Sequence, residues 1–220
     1  MRTIIVGDVH GCRIELEALL DRVGFTCGDR LVFVGDLVAR GPDSLGVLDI
    51  VRRTGAIVVR GNHEQKLLDA RAGLSTLSKT HRDVALALRP IDWSILESSR
   101  LWCDLPEHEV RVIHAGLDPR IPFPKQKPMT LMAIRTVKDE LWGSLYKGPP
   151  HVVFGHNAPT GLQIHRWATG LDSGCVYGGA LTAMVLGPKQ KVPRGRESRW
   201  KVLVSERARR IWHAPKRFAD

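Results

Sequence analysis

Ile4-Ile5-Val6-Gly7-Asp8-Val9-His10-Gly11, Leu31-Val32-Phe33-Val34-Gly35-Asp36 and Ile57-Val58-Val59-Arg60-Gly61-Asn62-His63-Glu64 share one design near the start of the chain. Each opens with a short apolar, mostly β-branched run, the pattern of a strand buried on both faces, and reaches a glycine flanked by polar side chains. Between the first two, Leu16, Leu19, Leu20 and Val23 recur at helical spacing until Gly24. Pro42 and Asp43 then open a second helical stretch through Leu45, Leu48 and Val51, which Gly55 closes. Strand–helix–strand–helix–strand is the order of a mostly parallel sheet covered on both faces, so the expected class is α/β.

Outward from this core, residues 64–100 read as two or three helices broken near Gly73 and Pro90. Residues 110–113 and 152–154 read as strands, 129–141 as a helix and 119–128 as a Pro-rich surface loop. Residues 162–167, 181–186 and 202–204 read as later strands, enough for a second sheet. The expected division is a domain over residues 1–188, with its helical insertion near 64–100, and a basic C-terminal segment over 189–220.

The 220 residues are 43% hydrophobic and 25% charged, a composition that excludes a disordered, collagen-like or coiled-coil chain. No run approaches the roughly 18 apolar residues of a membrane span, so no membrane role is expected. The first motif begins too close to Met1 for a signal peptide. Cys12, Cys27, Cys103 and Cys175 include no Cys-x-x-Cys pair, which reads as free thiols in a reducing cytoplasm. The net charge is +10, of which +8 lies in residues 189–220. Such a run suits either a solvated terminus or contact with a polyanion, and Trp200 and Trp212 interleave it.

Polar clusters follow the expected strands in order: Asp8 and His10; Asp36 with Arg40; Asn62 and His63; His114-Ala115-Gly116; and Gly155-His156-Asn157. In open α/β sheets the carboxyl ends of strands meet in one crevice, and the adjoining glycines let the backbones crowd there. Carboxylates, imidazoles and one amide oxygen, with no thiolate, suit hard-to-borderline divalent ions: manganese first, with iron, cobalt or zinc as alternatives. A lone Asp-x-His-Gly, or one histidine after a strand, is more often structural. The ordered set is not, because burying these carboxylates and histidines without a counter-charge costs several kcal/mol each. The inventory fits two metals roughly 3.5–4 Å apart that share a carboxylate and acidify a bridging water for in-line attack on phosphorus. Arg40 offers a bidentate fork for phosphoryl oxygens and His63 a proton for the leaving oxygen. Phosphate-binding P-loop, dinucleotide-binding and serine-hydrolase signatures are all absent from the sequence.

These motifs resemble those of the phosphoprotein phosphatase branch of the calcineurin-like metallophosphoesterases, over residues 1–186. The resemblance implies two mixed β-sheets packed as a sandwich and flanked by helices. It also implies Asp8, His10 and Asp36 on one metal and Asp36, Asn62, His114 and His156 on the other, with Arg40, Asn62 and His63 on the phosphate and His63 as general acid. Protein Ser/Thr phosphatases of this branch usually carry an Asp that orients this histidine, where the present chain has Ala39. In this, and in Leu171-Asp172-Ser173-Gly174-Cys175-Val176-Tyr177-Gly178-Gly179-Ala180-Leu181-Thr182, the chain resembles bacterial symmetrical diadenosine tetraphosphatases. Their longer segment between the His-Ala-Gly and Gly-His clusters is shortened here to residues 117–155, which implies a reduced cover over the substrate.

The leading expectation is therefore symmetrical hydrolysis of diadenosine tetraphosphate to two ADP, with removal of nucleotide caps from RNA as an extension favoured by the basic tail. The alternatives are a Ser/Thr or Tyr phosphoprotein phosphatase or a broad-specificity phosphatase and, more remotely, a basic RNA-binding module. No obligate protein partner is implied.

Overall fold

A computed structural model describes residues 1–214 of the chain. Its elements run β1 (Thr3–Val6), α1 (Arg13–Arg22), β2 (Arg30–Phe33), α2 (Ser44–Thr54) and β3 (Ile57–Val58). Helices α3 (Asn62–Arg71), α4 (Lys79–Ala87) and α5 (Pro90–Ser98) follow, then β4 (Trp102–Leu105) and β5 (Val110–Ile113). After α6 (Pro128–Ala133) come β6 (Thr136–Val137), β7 (Glu140–Leu141), α7 (Trp142–Leu145), β8 (His151–Phe154), β9 (Gln163–Ile164) and β10 (Ala168–Gly170). The described chain closes with β11 (Ala180–Leu186), α8 (Arg196–Trp200) and β12 (Leu203–Arg207).

Two five-stranded sheets result, ordered β12-β11-β1-β2-β3 and β4-β5-β8-β10-β9. Both are mixed. Strands β1, β2 and β3 are parallel, but β11 pairs antiparallel with β1, and β12 antiparallel with β11. In the second sheet β5, β8 and β10 are parallel between antiparallel edges. The mostly parallel sheet expected from residues 1–64 is thus corrected by strands that return from the far end of the chain. The helix expected over 129–141 is corrected too: α6 stops at Ala133, and β6 and β7 form a hairpin whose turn residues Lys138 and Asp139 have φ of +49° and +65°.

The alternation of side chains along a strand sorts the core into layers. Ile4 and Val6 point to α1 and α2, where Leu16, Leu19, Val47 and Leu48 are buried. Ile5, Val32 and Val34 point the other way and meet Val110, Val112 and Val153 of the second sheet. The outer face of that sheet, with Ile113, Val152 and Phe154, is covered by Leu131 and Trp142. Helix α2 starts where Asp43 accepts the Gly46 N–H at 2.7 Å and stops at Gly55 in the left-handed region. Parallel strands from both sheets end side by side, and their loops face one cleft.

Candidate metal centre

Asp36, in the loop after β2, is the hub. The N–H of His63, in the first turn of α3, donates to Asp36 Oδ1 at 3.0 Å, so a helix N-terminus supports the carboxylate. Around it, His10 Nε2 lies 3.6 Å, His114 Nε2 3.5 Å and His63 Nε2 4.0 Å from a carboxylate oxygen. The segments that follow β1, β3, β5 and β8 deliver His10, His63, His114 and His156, His63 from the first turn of α3. Gly35, at φ +111°, makes the crowding feasible, because a Cβ there would sit 2.8 Å from His114 Nδ1 and 2.7 Å from the Gly61 nitrogen. His10, Asp36 and His156 themselves have φ of +47°, +51° and +69°. A non-glycine residue held there costs on the order of 1–3 kcal/mol, strain characteristic of functional loops.

The ring orientations turn the Nε2 atoms inward, towards Asp36. His10 Nδ1 is 3.2 Å from the Val38 carbonyl and His114 Nδ1 3.0 Å from that of Val34. Each Nδ1–H donates outward, so each Nε2 lone pair faces inward. Asn62 Oδ1 lies 3.1 Å from His114 Nε2. Among the described residues three groups have ligand atoms within 4.8 Å of one another; Cys12, Glu15 and Cys175 lie apart from this centre, and the two at it are His10, Asp36 and His63, and Asp36, His114 and His156. Asp36 belongs to both. Asp8 stands beside them, both its oxygens accepting the His156 N–H at 3.0 and 3.1 Å. Arg40 reaches His10 Nε2 at 2.7 Å and lines a cleft of about 700 Å³ with Asp36, Asn62, His156 and Tyr177. Every residue expected at the site from its motif is thus brought to this one region.

The electrostatics call for a cation. Burial lifts Asp36 to about 7. Burial, with Asp36 beside it, lifts Glu64 to about 7. Asp8 is raised well above the ordinary carboxylate range by burial and by Asp172 and Asp36. Burial pushes the histidines the other way, His114 to about 3 and His156, with His114 beside it, to about 2. Neutral imidazoles and carboxylates that resist ionisation form a donor set that a divalent ion satisfies. His156 Nε2 is buried with no hydrogen-bond partner, as a ligand nitrogen awaiting a metal would be.

Three neighbours were not among the residues expected at the centre. The Glu64 carboxylate accepts the N–H groups of Asp36, Leu37 and Gly61 at 2.8, 2.8 and 2.9 Å, tying the β2 and β3 loops together. Asp172 follows β10 and is lifted to about 6 by burial and Asp36. Its Gly170-Leu171-Asp172 follows Ala168-Thr169 and only loosely echoes the strand-glycine-acid pattern of the other loops. His81, on α4, stacks on His63 with ring centroids 4.7 Å apart, and no spacing in the sequence announces it.

The profile of calcineurin-like phosphoesterases matches residues 1–187. An asymmetrical bis(5'-nucleosyl)-tetraphosphatase, PrpE, of Halalkalibacterium halodurans is 30% identical over 84% of this chain and 89% of its own. A symmetrical bis(5'-nucleosyl)-tetraphosphatase of Pectobacterium atrosepticum is 36% identical over 82% of this chain and 68% of its own. A crystal structure provisionally named a diadenosine tetraphosphatase superposes with a TM-score of 0.83 at 37% identity, over 94% of this chain and 93% of that one. With the profile covering every strand but β12 and every loop of the centre, the chain belongs to the calcineurin-like phosphoesterase family.

Proposed function

We propose that the chain is a metal-dependent phosphoanhydride hydrolase that cleaves diadenosine tetraphosphate symmetrically into two ADP. The observation that carries this is Asp36, shared by two ligand groups at the mouth of a cleft that also holds Arg40. The names of the similar proteins supply the substrate class. Two divalent ions, manganese foremost, would be held by Asp8, His10 and Asp36 and by Asp36, Asn62, His114 and His156. When bound, such ions supply an acidified water and positive charge for phosphoryl oxygens.

The chain's own groups do the rest. Arg40 presents its fork to the phosphates, and His63 lends a proton to the departing oxygen. Burial and the neighbouring His10 and Arg40 hold His63 well below the ordinary histidine range, so its imidazolium is seldom populated. A serine alkoxide leaves badly without a strong proton donor. A nucleoside diphosphate, whose terminal phosphate has a second pKa near about 6, leaves with little help. Ala39, where an orienting carboxylate would stand, fits the second kind of leaving group.

Asymmetrical cleavage is the second reading, favoured by the PrpE relatives. Product analysis separates the two: ADP alone supports symmetry, and AMP with ATP refutes it. Capped RNA ends contain the same anhydride and belong in the same assay. Release of phosphate from a phosphopeptide with no dinucleotide turnover would replace the proposal with a protein phosphatase.

A further inference from the structure

Beyond Asp172, the Gly-rich run over residues 171–182 and the basic segment after residue 188 supply none of the expected metal ligands, yet the fold joins them. Beyond β12 the chain returns across α1, and residues 208–213 lie along the turn Cys175–Tyr177. The Ala208 N–H donates to the Gly179 carbonyl at 2.9 Å, and those of Trp212 and His213 to the Val176 carbonyl at 3.1 and 2.9 Å. Gly178 is at φ +91°, and a Cβ there would meet Ile211 Cγ1 at 2.7 Å, so glycine lets the strap lie this close. From beneath, the Glu15 side chain, in a residue 1% exposed, accepts from the Arg209 N–H at 3.0 Å and from Trp212 Nε1 at 2.8 Å. A buried carboxylate is tolerated only with such donors. Both come from the strap, which is therefore a fixed part of the molecule.

The strap carries His213 to Tyr177, ring centroids 6.1 Å apart and planes inclined by 59°. Both rings are half-buried and line the cleft that contains Asp36 and Asn62. Arg40 stands between, its guanidinium 2.7 Å from His10 Nε2 on one side and 5.6 Å from the Tyr177 ring centre on the other. From the ligand cluster outward, the cleft thus presents a guanidinium and then an aromatic notch. That is the order of a cleaved phosphate, a neighbouring phosphate and a nucleoside. Burial and the Arg40 charge lower His213, which leaves its ring neutral and suited to stacking.

We infer that Tyr177 and His213 form a nucleobase subsite, which stacks the base of a nucleoside diphosphate group while Arg40 holds its phosphates. The C-terminal strap is then a specificity element, favouring nucleoside polyphosphates over bare phosphate compounds. This rests on the phosphoanhydride reading above and adds where the nucleoside sits. Base–aromatic stacking corresponds to a factor of about 10–100 in affinity.

The test is calorimetric binding of ADP and of inorganic pyrophosphate to the full-length manganese-loaded protein, which needs no turnover. Wild type should prefer ADP. Tyr177→Ala should weaken ADP by about 10–100-fold and pyrophosphate by less than about threefold. Tyr177→Phe should retain the preference, and His213→Ala, a change on a half-buried ring of the strap, should lose part of it. Equal weakening of both ligands, or an unchanged ADP affinity in both alanine variants, overturns the subsite. A wild type that prefers ADP but leaves diadenosine tetraphosphate intact sinks the functional reading and spares the subsite. Turnover of the dinucleotide with the ADP preference surviving in both alanine variants does the reverse.

Discussion

The two walls of the cleft are assembled differently. On one wall, Asp8, His10, Asp36, Asn62, His63, His114 and His156 each stand a few residues beyond a strand, and the sheets bring the loops together. On the other, Tyr177 and His213 meet because a returning strap is clasped by backbone hydrogen bonds and by Glu15 on a helix near the start of the chain. The first wall holds its groups in strained loops and desolvated electrostatics. The second holds two rings by ordinary hydrogen bonds. The first should therefore govern metal binding and turnover, and the second affinity for one class of ligand.

Asp36→Asn is the sharpest way to break the first wall. It removes the charge shared by both ligand groups while keeping the shape, so turnover should fall on the order of 10³-fold, the loss of several kcal/mol of transition-state stabilisation. Metal content, measured by elemental analysis after dialysis, should fall with it. Retention of both ions and of activity would remove Asp36 from the centre.

The same wall should respond to pH. Asp36 holds its proton up to about 7, while His114 is already neutral above about 3, so the carboxylate's proton is what a metal must displace. Asp8, raised well above the carboxylate range, holds a further proton, so metal affinity measured by calorimetry should fall by at least about tenfold per unit below about pH 7. In the metal-free protein Asp36 titrates higher folded than unfolded. Its contribution to stability is complete below the reference value of 3.8 and is lost as the pH rises through about 7. The rise in Tm that metal produces should accordingly grow between about pH 5 and about pH 8. A flat response would mean that the carboxylate is already ionised in the folded protein.

Glu15→Ala tests the second wall alone. It leaves the Trp212 indole N–H and the Arg209 amide without an acceptor, which should cost about 1–3 kcal/mol in urea unfolding. Metal content should stay at the wild-type value. A loss of metal would show that the two walls are one cooperative unit.

The same contrast explains what could be read from the sequence. Asp8, His10, Asp36, Asn62, His63, His114 and His156 were legible because a strand followed by glycine and a polar residue is a local pattern. The layering was legible in part: β1, β2 and β3 follow from their apolar runs, whereas the antiparallel partner of β1 is β11, far along the chain, and no local pattern names a partner. The hairpin within 129–141 was missed because Val137 and Leu141 sit at helical spacing, and the turn at Lys138 and Asp139 lacks the glycine that would betray its positive φ. His81 reaches His63 only through the packing of α4, and nothing in the sequence of α1 distinguishes Glu15 from its other charged residues.

The smallest effect expected is also the most discriminating about chemistry. Ala39 is fully buried at φ +66°, and the Nδ1 of His63 is buried without a hydrogen-bond partner. Asp is one of the few residues that accepts this backbone conformation readily, so Ala39→Asp should fold. A carboxylate that orients the ring and raises its basicity should help expulsion of an alkoxide more than that of ADP. The ratio of kcat/KM for an alkyl phosphate to that for diadenosine tetraphosphate should then rise by about tenfold, the lower end of what such supporting partners contribute. If both substrates gain equally, His63 assists both leaving groups alike, and the alanine is not what tunes this centre to anhydrides. If the ratio rises while metal content is unchanged, the unpaired Nδ1 is the physical trace of a site that relies little on the proton His63 donates, because its leaving group needs little help.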